Sequence, residues 1–468
     1  MNAPRRYTVL AVFAYGALIV GAIVLFLIIR SYGDALVAPS RIVDRAATGA
    51  SAGAAPDLFW HLLIALAAVV VVGRLLGRVF SVIGQPPVIG GILLGPSLLG
   101  RIAPDAYAYL LPPSIAPSLG IVAQLGVLLY MFLVGLELNP DLLRGQLHST
   151  VATSHASIVF PFVLGAVLAL YLYPLFSTSD VLFTNFALFV GVAMSITAFP
   201  VLARILSDRG MTRTKLGTLA LTCAAVDDVT AWCLLAFVVG VVQSKAQSAL
   251  AVAFLTLGFI GVMFVAVRPL AARVTRSFER RPSQGAIAMV FCAVLVAALT
   301  TEAIGVHAIF GAFLFGVVLP HDSALARELR QSLENLVTIL LLPAFFAFTG
   351  MRTQIGLLSG TYEWLICALI IGVATLGKFG GAFVAARSTG LTWQYAAGLG
   401  VLMNTRGLME LIVLNVGFDL GVISPTIFTM MVLMALATTM ASAPILQRLV
   451  LEPDRRPAGT VLGALLDT

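Results

Sequence analysis

Apolar windows alternate with short polar punctuation along nearly the whole of the 468 residues. A helix needs about 20 apolar residues to cross a bilayer. At that length the pattern predicts about fourteen spans: 7–30, 57–80, 83–100, 117–138, 149–174, 181–207, 215–243, 247–268, 285–302, 304–320, 333–351, 361–387, 392–418 and 423–448. The expected fold class is an all-α polytopic membrane protein. The first span follows Arg5 and Arg6, and Ala38 offers a weak cleavage site. Its apolar core of about 20 residues exceeds the 7–15 of a signal peptide, which favours an uncleaved anchor. The small polar run Ala46 to Gly53 that follows reads as flexible. Residues 1–56 are thus an extra helix with its loop, 57–450 the main transmembrane domain, and 451–468 a short cytoplasmic tail.

Composition agrees, with 60% hydrophobic and 10% charged residues. A soluble domain is about 45–50% apolar and 25% charged. Cys223, Cys233, Cys292 and Cys367 all fall inside spans without a CxxC pair, which points to packing rather than metal or disulfide chemistry. The net charge of +7 matters as topology. With the N-terminus in the cytoplasm, twenty of the 28 Lys and Arg face the cytoplasm and six the other side, leaving Lys378 and Arg406 within spans. That bias places both termini inside. Basic residues in short loops do not form a nucleic-acid face, and no GxGxxG follows a strand-like run, so neither a nucleic-acid partner nor a cofactor is expected.

Asp227 and Asp228 sit side by side in the middle of 215–243. An Asp at a helix centre costs roughly 2.5–3.5 kcal/mol on insertion, and ionisable groups there are functional candidates. Neighbours on a helix point about 100° apart, so the two acids cannot share one partner. Lys378 has no acid close by in its own span, whereas Arg406 has Glu410 four residues on, the spacing of a same-face pair. Pairing Lys378 with Asp227 leaves Asp228 exchangeable. Competition between a proton and a monovalent cation for one carboxyl then couples their movements. A structural ion pair is the plainer alternative.

Two spans are interrupted. The sixth carries Ser195-Ile196-Thr197-Ala198-Phe199-Pro200, where the proline removes a donor and clashes with the carbonyl four residues back. The thirteenth carries Met403-Asn404-Thr405-Arg406-Gly407. Either break alone could be a kink. Seven spans apart and entering from opposite sides, they have the pattern of an inverted-repeat secondary transporter. Glu137 reads as a rim residue, Glu302 and His307 as caps or exposed groups beside Gly305, and Gly311 and Gly316 as helix-packing positions.

Seven stretches, spread in order over roughly 57–450, resemble one family: QPPVIGGILLGPSLLG (85–100), FLVGLELN (132–139), SITAFPVLARIL (195–206), AAVDDVTAW (224–232), GVHAIFGAFLFGVVLP (305–320), GKFGGAFVAAR (377–387) and MNTRGLMELIVLN (403–415). They resemble the monovalent cation:proton antiporters of the sodium/hydrogen exchanger superfamily, in the branch of Kef-type bacterial proteins and plant and fungal cation/proton exchangers. The resemblance implies the sodium/proton antiporter fold, with crossed discontinuous helices in a core of about 149–243 and 361–448. It also implies dimerisation helices at about 57–138 and 285–351, hence a homodimer. Asp228 would be the ion-carrying acid and Asp227 with Lys378 a salt bridge. Kef-like glutathione-gated members have Gln before the Asp and a regulatory domain, and this chain departs from both.

The expected function is exchange of Na⁺ or K⁺ for protons across the inner membrane by alternating access, electrogenic because two acids suggest more than one proton per cation. The site would comprise Asp228, Asp227, Lys378, Ser195, Thr197, Pro200, Asn404, Thr405, Arg406 and Glu410. A channel-like K⁺ efflux protein on the same scaffold is the alternative. An intramembrane aspartyl protease is a remote one, since that chemistry needs two acids on facing helices.

Overall fold

The computed structural model describes residues 3–40, 58–82, 95–137, 147–212, 214–243, 249–277 and 283–449. Among them there is no strand. In lipid a helix satisfies its own backbone donors and acceptors, so apolar segments of this length settle there as helices. In chain order these are α1 (Ala3–Gly33), α2 (Leu58–Val82), the short α3 (Leu99–Ile102) and α4 (Pro104–Leu110), and α5 (Ala116–Glu137). Then come α6 (Leu147–Phe176), α7 (Phe183–Ser195), α8 (Phe199–Asp208), α9 (Lys215–Gln243), α10 (Ala249–Val262) and α11 (Arg268–Ser277). The second half holds α12 (Gln284–Ile304), α13 (Ala308–Val318), α14 (Ala324–Leu336), α15 (Leu342–Arg352), α16 (Thr361–Ser388), α17 (Trp393–Met403), α18 (Leu408–Asp419) and α19 (Pro425–Leu449).

Among the described residues eleven helical stretches are long and apolar enough to cross a membrane, or twelve if the bent pair α17–α18 is one span. The expected count of fourteen is not reached. The segment 304–320 contributes only α13, whose 11 residues extend about 17 Å, and 83–100 lies mostly outside the described residues. The loop 46–53 and the tail 451–468 lie outside them as well.

The helices pack as two groups. In one, α5 lies against α13 and α15, α12 against α13, and α2 against α15. Glycines bring backbones together here: a Cβ on Gly316 would meet the Phe132 carbonyl oxygen at 2.3 Å, and one on Gly311 the Ala297 oxygen at 2.2 Å. Such close approach replaces hydrophobic burial as the cohesive force between lipid-embedded helices. In the other group α6 packs along α16, α7 and α9, α16 along α17 and α19, and α18 against α19 and α7. The extra helix α1 joins this second group, against α6 and α7. Tyr15 meets His155 edge-on at 5.1 Å, and Phe26 lies 5.8 Å from Phe162.

Smaller expectations sort cleanly. Glu137 ends α5 half-exposed, 3.8 Å from Arg330. Glu302 accepts the Ala308 amide at 2.9 Å, and the His307 ring accepts that of Ile309 at 3.4 Å, so both are caps. The cysteines are corrected in part. Cys223 and Cys367 are buried, but Cys233 and Cys292 are exposed. On a lipid-facing helix surface an apolar thiol needs no core.

Candidate ion-binding site at two crossed helix breaks

The proline of the sixth span does not kink one helix; it opens a second. The helix α7 stops at Ser195, and Ile196 and Ala198 are extended (φ −77°, ψ 136° and φ −94°, ψ 97°). Pro200 is then the second residue of α8. At that position the missing N–H breaks no helical hydrogen bond. The other break, Asn404 to Gly407, separates α17 from α18 with a bend of 43°.

The two breaks touch. The Ala198 amide donates to the Thr405 carbonyl at 3.0 Å, and the Thr197 hydroxyl lies 2.9 Å from the Met403 carbonyl. A Cβ on Gly407 would approach Val201 Cγ2 to 2.6 Å, so only glycine fits without displacement. The crossing satisfies backbone groups that each broken helix leaves unpaired.

Cations gather at the C-terminal end of α7. Arg406 donates through Nη2 to the Met194 carbonyl at 2.7 Å, and through Nη1 to the Ala193 carbonyl at 2.9 Å and to Glu410 Oε2 at 3.1 Å. Lys378 Nζ, from α16, donates to the Ser195 carbonyl at 2.5 Å. Positive charge at a helix C-terminus complements the partial negative charge of its free carbonyls. Thr439 of α19 holds the Arg406 backbone, accepting its amide at 2.9 Å and donating to its carbonyl at 2.7 Å.

Asp227 and Asp228 project from α9 into different surroundings. Asp227 Oδ2 lies 2.8 Å from Lys378 Nζ and accepts the Thr197 hydroxyl at 2.8 Å and that of Ser157 at 3.0 Å. Its Oδ1 accepts the Ser154 hydroxyl. This carboxylate is saturated. Asp228 is equally buried, yet among the described residues neither oxygen meets a full hydrogen-bond partner. The Phe199 amide, first of α8, points toward it. That amide end carries partial positive charge, favourable to an anion. Tyr130 of α5 is within electrostatic reach, and one turn along α9 Trp232 stacks 6.2 Å from Phe313 of α13. Asp228 therefore sits where the two helix groups meet. Among the described residues Asn404 Oδ1 and Glu410 Oε1 are also buried without a partner.

All ten expected site residues lie at or beside this crossing, with the acids in the opposite circumstances the local charges implied. Ser154, Ser157 and Thr439 also belong to the site, though no motif marks them. The serines occupy an i, i+3 pair inside an apolar span, which places both hydroxyls on one helix face; that was the available signal. The protease alternative fails on geometry, because the acids share one helix and the partner across from Asp227 is a lysine.

Broken helices that cross at buried charges define a polytopic membrane carrier. Residues 62–451 match the family model described as sodium/hydrogen exchanger, transmembrane. The chain is 46% identical over 406 residues to the Na(+)/H(+) antiporter NhaS4 of Synechocystis sp., covering 84% of this chain and 98% of that one. It is 36% identical over 404 residues to cation/H(+) antiporter 20 of Arabidopsis thaliana (82% and 48% covered). With K(+)/H(+) antiporter 1 of Saccharomyces cerevisiae it shares 32% over 385 residues (79% and 44%). The chain spans about half the length of these plant and yeast relatives. Among solved structures, the sodium proton antiporter MjNhaP1 of Methanocaldococcus jannaschii superposes with a TM-score of 0.63 at 15% identity, over 84% of this chain and 99% of that one, which shows a shared fold. The chain belongs to the sodium/hydrogen exchanger family, whose members are transporters and not enzymes.

Proposed function

We propose that the protein exchanges a monovalent cation, Na⁺ or K⁺, for protons by alternating access, with Asp228 carrying the two in turn. The observation that bears the reading is the contrast at α9: one buried carboxylate fully paired, its neighbour buried and without a full partner at the helix crossing. A carboxyl with no internal partner is costly unless a proton or a cation neutralises it. Each then excludes the other from a single group, which is the coupling. Asp227 and Lys378 hold the fork between α9, α6 and α16, while Thr197, Thr405 and Arg406 fix the break around it. Ser195 and Pro200 end and begin the half-helices, and Asn404 and Glu410 supply oxygens near the crossing.

The relatives named as Na(+)/H(+) and K(+)/H(+) antiporters support exchange, and nothing favours the channel alternative. The division into a moving core of about 149–243 and 361–448 and a dimerisation panel of about 57–138 and 285–351 belongs to the same proposal. So do the homodimer, the inner-membrane location, the cytoplasmic termini and the electrogenic cycle.

Proton movement in everted vesicles on adding Na⁺, K⁺ or Li⁺, from mildly acidic to mildly alkaline pH, tests the reading. Asp228→Asn abolishes the cation-dependent signal while the purified protein keeps its thermal stability, because that side chain makes no full hydrogen bond to lose. Wild-type flux in that variant overturns the assignment.

A further inference from the structure

At one membrane face the two helix groups are joined by a chain of polar contacts. Arg352, last residue of α15, places Nη2 2.6 Å from Asp419 Oδ1 at the end of α18. Its Nη1 donates to Asn415 Oδ1 at 2.9 Å, and Asn415 Nδ2 donates back to Thr349 Oγ1 of α15 at 2.9 Å. The guanidinium lies over the rings of Phe348 (4.1 Å) and Phe418 (5.1 Å), one from each group. Just beyond, the Gln354 amide donates to Thr429 Oγ1 of α19 at 3.1 Å. On the orientation proposed above, this is the outer face.

We infer that Arg352, Asn415 and Asp419 form a latch that holds the outer side of the carrier closed and must open for Asp228 to face outward. The inference rests on the alternating-access reading. Its basis is mechanical as well as polar. The helix α18 begins at the break, with Glu410 in its first turn, and ends at Asp419. Tying its far end to α15 therefore clamps the broken element itself to the opposite group. The tie is also releasable. Arg352 is 20% and Asp419 41% exposed, so water can take over each charge. Arg352 further lines a cavity of about 620 Å³ with Tyr107, Gln124 and Phe348, which gives the guanidinium somewhere to swing.

Ile412 supplies the reporter. It lies three residues before Asn415, on the same face of α18 and one turn deeper, and is 1% exposed. A cysteine is placed there in a background lacking the four native ones and labelled with a membrane-impermeant maleimide from either side. With the latch intact, labelling from outside is slow. Arg352→Gln or Asp419→Asn raises it roughly tenfold, the equivalent of about 1.4 kcal/mol in the opening equilibrium. The double variant rises no further than either single one, because both break the same contact. Unchanged labelling in the single variants, multiplicative effects in the double, or an equal rise from both faces each overturns the latch. Asp419→Asn, a partly exposed change at a helix end, carries the test if Arg352→Gln does not fold. Labelling needs no transport: a rise from outside in the variants, while the unaltered protein shows no cation-dependent proton movement, defeats the exchange reading and leaves the latch standing, and normal exchange in the unaltered protein with flat labelling in the variants does the reverse.

Discussion

The Lys378 ammonium and the Asp227 carboxylate lie 2.8 Å apart, and neither side chain has any exposed surface. Three hydroxyls, of Ser154, Ser157 and Thr197, complete the carboxylate, and the Ser195 carbonyl takes another ammonium hydrogen. Buried charges tolerate burial only when paired and fully hydrogen-bonded. The pair thus knits α9, α6, α16 and the end of α7 at one point.

Lys378→Met should therefore destabilise the protein by about 3–5 kcal/mol, the cost of leaving a buried charge without its partner. Combining it with Asp227→Asn removes both charges and should recover much of the loss. Thermal unfolding of the four proteins in detergent, read as a double-mutant cycle, measures this. Additive losses would mean that the two groups do not act as a pair.

Arg406 makes a different demand. Two of its nitrogens reach two successive carbonyls, those of Ala193 and Met194, while one also holds Glu410. A planar guanidinium can do this; an ammonium is a point charge with no such fork. Arg406→Lys should keep a charge beside Glu410 and fold, yet lose about tenfold or more in transport as the end of α7 loosens, a change of at least about 1.4 kcal/mol. Arg406→Gln strands Glu410 and should lower the unfolding temperature as well. Equal transport in Arg406→Lys and the parent would show that charge alone suffices.

Much of this is legible in the chain itself. An acid pair in mid-span, one lysine without a local acid and an Arg with a Glu four residues on are statements of period and cost, and each pairing is present. Proline and glycine marked both interruptions. What the chain pattern does not carry is contact between distant segments. Thr197 lying against the Met403 carbonyl and Arg406 capping α7 join residues some two hundred positions apart. Hydropathy also counted α13 as a full span, because apolar character says nothing of where a helix ends. The extra α1 was visible as a helix, but its place against α6 depends on ring contacts such as Phe26 with Phe162 that no periodicity encodes.

Gly407 tests the crossing. Its backbone is extended (φ 168°), so any residue could adopt it; the constraint is space, a Cβ falling 2.6 Å from Val201 Cγ2 and 3.5 Å from Ala198 Cβ. Gly407→Ala should cost about 1–3 kcal/mol, as overpacking does, and slow transport by prising α8 from α18. Adding Val201→Ala removes the colliding methyl and should restore both stability and rate. Failure of that second change to help would place the strain elsewhere.

If one carboxyl serves proton and cation in turn, acidity acts as a competitive inhibitor. Linkage makes the antagonism mutual: a bound proton weakens the cation by the same factor that a bound cation weakens the proton. The apparent KM for Na⁺ or K⁺ should therefore rise as pH falls, by up to about tenfold per unit where Asp228 is mostly protonated, with the maximum rate restored at saturating cation. Currents from protein on solid-supported membranes, taken as full cation titrations at several pH values, distinguish this from its rival. Had proton and cation separate groups, for instance Glu410 for one and Asp228 for the other, acid would depress the maximum rate and leave KM unmoved. The absence of a full hydrogen-bond partner on both Asp228 oxygens favours the shared group, because a carboxyl already engaged by the fold would resist both ligands equally.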